Sequence, residues 1–166
     1  MEDHDVLKGM RLFTDFYNAE IEAFIRASVR RSEPAGQVFL VMGAVNSSMF
    51  IICKGSVTVK RFGSTDDIPI ATLGAGQTFG ELSFMDGSKA TASVVATEPT
   101  EVLQLSREAV DGMIEGYAPL ALKFWRNLAL VLKERLVKTN EVIDQYVDIN
   151  QVLLRNQSFR EYYNRL

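Results

Sequence analysis

Residues 76–96 read G-Q-T-F-G-E-L-S-F-M-D-G-S-K-A-T-A-S-V-V-A, and the fold turns on how this stretch is interpreted. Gly76, Gln77 and Thr78 bring a turn up to Phe79-Gly80, after which Glu81-Leu82-Ser83-Phe84-Met85 suit one short helical turn that stops at Asp86-Gly87. Backbone N–H groups of Gly80, Glu81 and Leu82 then stand unsatisfied at the start of that turn, and such a cluster attracts a phosphate or another anion. Thr91, Ser93 and Val95 alternate with Ala92, Val94 and Ala96, the pattern of a strand leaving the site. The small side chains of Ala90 and Ala92 leave room for a ligand against the backbone. Taken alone, the same residues also suit a loop of a small β-barrel that holds nothing.

The run Phe79-Gly80-Glu81-Leu82, followed after a small loop by Thr91-Ala92-Ser93-Val94, resembles the phosphate-binding cassette of cyclic-nucleotide-binding domains. That family includes the catabolite activator proteins and the regulatory subunits of cyclic-nucleotide-dependent kinases. The resemblance implies that Glu81 accepts a ribose 2′-hydroxyl, that Gly80, Leu82 and Ser83 line the phosphate end, and that Thr91 approaches the phosphate. One position departs: the family's arginine, which holds the cyclic phosphate, falls on Ala90, and Lys89 stands one place earlier, where proline is frequent. A charge-assisted hydrogen bond contributes roughly 1.5–3 kcal/mol, and a buried ion stripped of its partner costs about 3–5 kcal/mol. Lys89 can return part of this as a point charge, without the planar fork of a guanidinium. The implied site is therefore present but weakened or retuned. Its candidate ligand is cyclic AMP or another cyclic nucleotide, with no further cofactor.

Toward the N-terminus, Val6 to about Val29 has helical periodicity, with Ile21, Phe24, Ile25 and Val29 on one stripe and Asn18 placed to cap the start. Leu7 to Phe13 resembles the short segment by which the same family leads into its barrel. Pro34-Ala35-Gly36 is a turn, and Val38 to Val41 reads as the first buried strand. Gly43 to Ser48 forms a second turn before a strand over Met49–Ile52. Gly55 interrupts it, Val57 and Val59 alternate with polar residues, and Gly63 to Asp67 is a hairpin loop before Ile68–Leu73 returns. Short strands separated by turns at this spacing predict a mainly β fold with flanking helices. With the resemblance, which spans about Leu7 to Asn140, the expectation is a cyclic-nucleotide-binding-type jelly-roll barrel. N-terminal helices precede it and a long C-terminal helix follows.

Ser106-Arg107-Glu108 opens a helix carrying Val110, Met113 and Ile114 on one face, Gly116 ends it, and Pro119 suits the first turn of the next. In that last helix, positions spaced alternately four and three apart fall on Ala121, Trp125, Leu128, Leu132, Arg135, Thr139, Val142, Tyr146, Ile149 and Leu153, eight of the ten apolar. Leu120, Phe124, Leu136 and Ile143 add apolar surface beside this seam. One face can cover the barrel while Trp125, Leu128, Leu132, Val142, Tyr146, Ile149 and Leu153 meet a second copy, predicting a homodimer through the helix. The division is residues 1–118 as barrel with N-terminal helices and 119–166 as dimerisation helix and helical tail. By their place after Glu134-Arg135-Leu136, Thr139 and Asn140 look like the family's positions that meet the purine. Arg135 competes with Lys89 for the missing cation, or bonds a glutamate across the seam.

The 166 residues, 47% hydrophobic and 23% charged, suit one soluble globular domain, and a net charge of −3 offers neither nucleic acid nor an anionic membrane an electrostatic reason to bind. The acidic start, Met1 to Asp5, is no signal peptide, and no apolar run approaches the ~20 residues of a membrane span. Cys53 is the only cysteine, which excludes a disulfide within the chain and fits the cytoplasm. A jelly roll also brings metal-dependent oxygenases to mind, but the single histidine, His4, cannot build a histidine cluster, nor can Cys53 and His4 form a nucleophilic pair. Some members of the family carry a winged helix-turn-helix after the long helix. The 27 residues after Thr139 read as continued helix, and Asn150–Leu166 suits a coiled-coil end or docking surface. These readings converge on a bacterial, non-enzymatic, stand-alone regulatory module that senses a cyclic nucleotide and signals to a protein partner, with neither nucleic acid nor membrane as partner. The alternative is a degenerate member acting as a ligand-independent dimeric scaffold.

Overall fold

The computed structural model describes residues 3–62 and 67–155, with backbone alone for Phe62 and for residues 145–155. Two compact units emerge, Met1–Asn127 and Leu128–Leu166. In the first, helices α1 (Asp3–Lys8) and α2 (Asn18–Ala27) flank a 3₁₀ turn at Arg11–Phe13. Strands β1 (Val29–Glu33), β2 (Val38–Leu40), β3 (Ser48–Lys54), β4 (Ser56–Phe62), β5 (Asp67–Gly74) and β6 (Thr78–Phe79) follow. Helix α3 (Glu81–Asp86), strands β7 (Ser93–Ala96) and β8 (Thr100–Ser106), helix α4 (Arg107–Ile114) and helix α5 (Ala118–Arg155) complete the order, and the unit boundary falls inside α5.

Two antiparallel four-stranded sheets, ordered β1-β8-β3-β6 and β2-β7-β4-β5, form the jelly roll that the strand spacing predicts. Among the described strands only β4 and β5 are paired neighbours in sequence, while β8 returns between β1 and β3, the crossing that closes a roll. The core lies between the sheets, where Phe39, Leu40, Phe50, Ile52, Val57, Phe79, Val94, Ala96 and Val102 bury their side chains. Phe50 and Phe79 stack at 4.8 Å, and Phe39 meets the Phe79 ring edgewise at 5.5 Å. A second apolar cluster packs the helices: Phe24 stacks on Phe124 at 5.4 Å and meets Phe13 edge to face.

The N-terminal helical reading needs correction in two respects. Periodicity from Val6 to Val29 is not one helix, because the chain breaks at Gly9 and again at Asp15, whose φ is 66°. Asn127 holds this break, donating from Nδ2 to the carbonyls of Leu12 at 3.0 Å and Thr14 at 2.7 Å. Asn18 is the first helical residue and not the cap: Tyr17 precedes the helix, and its N–H donates to the Glu20 carboxylate at 2.8 Å. Strand β1 is an addition, since Val29–Glu33 precedes the strand read as first.

Strand β5 is an edge of its sheet, with Ile68 and Ile70 exposed on either side of Pro69. The loop residues Gly63–Asp66 lie outside the described residues. In the second unit α5 continues, with Leu136, Val137, Val142 and Ile143 all exposed. The side chains of Tyr146, Ile149 and Leu153 lie outside the described residues, as does all of 156–166. Among the described residues no helix is long and apolar enough to cross a membrane.

Candidate functional site

Helix α3 begins where β6 leaves the first sheet, and Gly80 makes that junction possible. Its φ of 79° lies in the left-handed region, and a Cβ there would stand 2.9 Å from the Ser48 carbonyl oxygen and 3.2 Å from Leu40 Cδ1. Only glycine meets both demands. Glu81 follows with 4% exposure, a carboxylate carried into the interior by the turn itself. At the other end Gly87, also left-handed, closes α3 by donating its N–H to the Ser83 carbonyl at 2.8 Å. Ser88 donates from its hydroxyl and its N–H to Asp86 and holds that carboxyl below its ordinary pKa.

The turn after β2 secures this segment from the opposite side. Ala90 donates its N–H to the Ala44 carbonyl and accepts from the Gly43 N–H, both at 2.8 Å, and Lys89 bridges Val45. Asn46 reaches further: its Nδ2 donates to Ser83 Oγ at 2.8 Å and to the Ser48 carbonyl at 2.6 Å, while its Oδ1 accepts the Ser48 N–H at 3.2 Å. Met42 donates its N–H to Ser93 Oγ at 2.9 Å. Residues 80–93 are therefore held in shape by the protein's own hydrogen bonds, the preorganisation a binding loop requires.

Gly80, Glu81, Leu82, Ser83, Lys89, Ala90 and Thr91 are brought into one segment of the first unit. Their surroundings differ. Glu81, Ser83 and Ala90 are buried, whereas Leu82, Lys89 and Thr91 are exposed. The Ser83 hydroxyl already accepts from Asn46 and donates to the Gly80 carbonyl at 3.3 Å. Arg135, Thr139 and Asn140 lie in the second unit, on α5. Burial lowers the Arg135 guanidinium from its ordinary pKa, and Thr139 Oγ1 donates to the Arg135 carbonyl at 2.9 Å. Trp125, assigned to the seam, has its ring in the first unit against Phe124 at 5.1 Å, with the Arg107 guanidinium over it at 5.0 Å. Leu128 is buried and Leu132 half-buried.

Asn46 and Arg107 are the residues that the sequence does not flag. An asparagine in a turn has many uses, and an arginine after a helix cap reads as a solvated charge. Among the described residues no group of three or more His, Cys, Asp or Glu side chains is placed to hold a metal ion.

The model of the cyclic nucleotide-binding domain matches residues 30–117. Glutaminase 2 of Bradyrhizobium diazoefficiens is 34% identical over 133 residues, covering 80% of this chain and 21% of that protein. The cyclic AMP receptor protein of Thermus thermophilus is 30% identical over 139 residues, covering 83% of this chain and 62% of that protein. The chain thus spans less than two thirds of either relative. A solved cyclic nucleotide-binding domain from Methylobacillus flagellatus superposes with a TM-score of 0.78 at 27% identity, covering 86% of this chain and 80% of that one.

Proposed function

The chain belongs to the cyclic nucleotide-binding domain family, and on that premise we propose that it is a non-enzymatic regulatory module whose segment 80–92 senses a cyclic nucleotide and passes the signal to a partner protein. The observation that carries this is the start of α3: a glycine with no room for a Cβ, followed at once by a buried carboxylate. An ionised carboxylate is an acceptor with several lone pairs to offer, and a ribose hydroxyl is a donor of the kind it takes. Glu81 takes that contact, Gly80, Leu82 and Ser83 line the phosphate end, and Thr91 approaches the phosphate. Thr139 and Asn140 meet the base, and Lys89 or Arg135 supplies the cation that Ala90 does not. Cyclic AMP is the first candidate ligand. A homodimer through α5 carries the output, supported by the exposure of Leu136, Val137, Val142 and Ile143.

Calorimetric titration with cyclic AMP and cyclic GMP tests the reading. Ala90→Arg restores a bidentate phosphate contact and is expected to tighten binding by about tenfold or more. Lys89→Ala and Arg135→Ala, titrated beside it, assign the cation to whichever variant loses about tenfold. A second reading, a ligand-independent dimeric scaffold, is favoured by Ala90 itself, since a buried methyl group stands where the family pairs a phosphate. No heat with either nucleotide, and none after Ala90→Arg with the fold intact, selects the scaffold.

A further inference from the structure

Four parts of the first unit converge on Arg107, the first residue of α4. Its backbone N–H donates to the Ser47 carbonyl at 2.8 Å, in the turn that holds the 80–93 segment. Its Nη1 donates to the carbonyls of Met85 at 2.6 Å and Phe84 at 3.3 Å, the last turn of α3. Its Nε lies 2.9 Å from both oxygens of Asp111, one turn on along α4. The guanidinium plane covers the Trp125 ring of α5 at 5.0 Å and the Phe84 ring at 5.8 Å.

An end cap for α3 needs only a positive charge near its last carbonyls, which a lysine provides. This side chain does more, because the planar guanidinium donates in its plane to α3 while its face rests on a ring of α5. Asp111 fixes the orientation of the plane. A shift of the α3 carbonyls by a fraction of a hydrogen-bond length must then tilt the guanidinium against Trp125 or break one of the bonds. The Phe84 and Trp125 rings lie 6.2 Å apart, so the guanidinium has both within its reach.

We infer that Arg107 is a positioning residue that couples the end of α3 to the first turns of α5, so that the state of the 80–92 segment is felt in the helix that leaves the barrel. The coupling rests on the nucleotide reading only for the identity of the signal, so it is tested both without and with ligand. Hydrogen exchange is followed in the full chain, in peptides covering residues 80–86 and 118–127. Without ligand, Gly87→Ala strains the left-handed closure of α3. It is expected to speed exchange about threefold or more in both peptides. In an Arg107→Gln background it speeds the first peptide alone. Arg107→Lys restores protection of α3 but not the transmission, which separates coupling from simple capping.

Equal acceleration of 118–127 in both backgrounds, or acceleration in neither, overturns the inference. Should Gly87→Ala fail to fold, Asp86→Ala loosens the same turn by removing the acceptor of the Ser88 N–H. Trp125→Leu breaks the link from the other side and replaces Arg107→Gln in the same way. With cyclic AMP, protection is expected in both peptides of the unmodified chain and in the first alone after Arg107→Gln. Protection of both peptides after Arg107→Gln overturns the coupling. No protection of 80–86 in the unmodified chain, with the Gly87 results as expected, overturns the nucleotide reading and leaves the coupling standing.

Discussion

Gly80 compresses the chemistry of this domain into one backbone conformation. Its left-handed φ and the 2.9 Å that an added Cβ would leave to the Ser48 carbonyl oxygen are separate constraints, and alanine violates both. Gly80→Ala is expected to cost about 1–3 kcal/mol, read as a lower urea midpoint with an unchanged slope. A drop of that size with α3 still formed locates the strain at the junction, while an unchanged midpoint means the turn relaxes. Gly80 and Glu81 are legible in the sequence because a short, ordered motif carries them. Asn46 and Arg107 are not, since their partners lie 37 and 22 residues away and nothing local records those pairings. The Ser83 hydroxyl also serves the loop's own hydrogen bonds, with Asn46 and the Gly80 carbonyl, a use that the motif does not record.

At the scale of elements, those with a strong local period or a diagnostic end were readable: α3 between two glycines, α4 with the Ser106 hydroxyl accepting the Ala109 N–H at 3.1 Å, and the alternating β7. Strand β1 was not. Its sequence, VRRSE, shows no apolar alternation, and it is a strand because β8 offers it an edge and Arg31 bonds Glu33 along it. The division of the first helical stretch was equally hidden, because Asn127, more than a hundred residues away, supplies the donors that the broken turn needs. Helix α5 combines both cases. Its first turns spend Phe124 and Trp125 on the barrel unit, whereas Leu136, Val137, Val142 and Ile143 remain exposed. If these residues meet a second copy, Leu132→Asp places a carboxylate in an apolar seam and halves the mass seen by light scattering. A monomeric parent chain at high concentration removes the premise.

For the molecule as a whole, the architecture was predictable because a jelly roll is specified by many short strands agreeing with one another, so that one missed strand does not mislead. What a roll does not resolve is its outer rim, and β5 is part of that rim. An edge strand with two protruding isoleucines, Ile68 and Ile70, is a template for sheet growth between molecules, and the proline between them is the residue that blunts it by withholding an N–H. Pro69→Val supplies the missing donor and lengthens a β-branched apolar run. The variant is expected to keep its fold yet cloud on standing at concentrations where the parent stays clear, with thioflavin fluorescence rising in step. If it stays clear, another feature guards the rim. Clouding makes Pro69 a gatekeeper of colloidal behaviour, setting how crowded a cell compartment this domain can tolerate before it begins to polymerise.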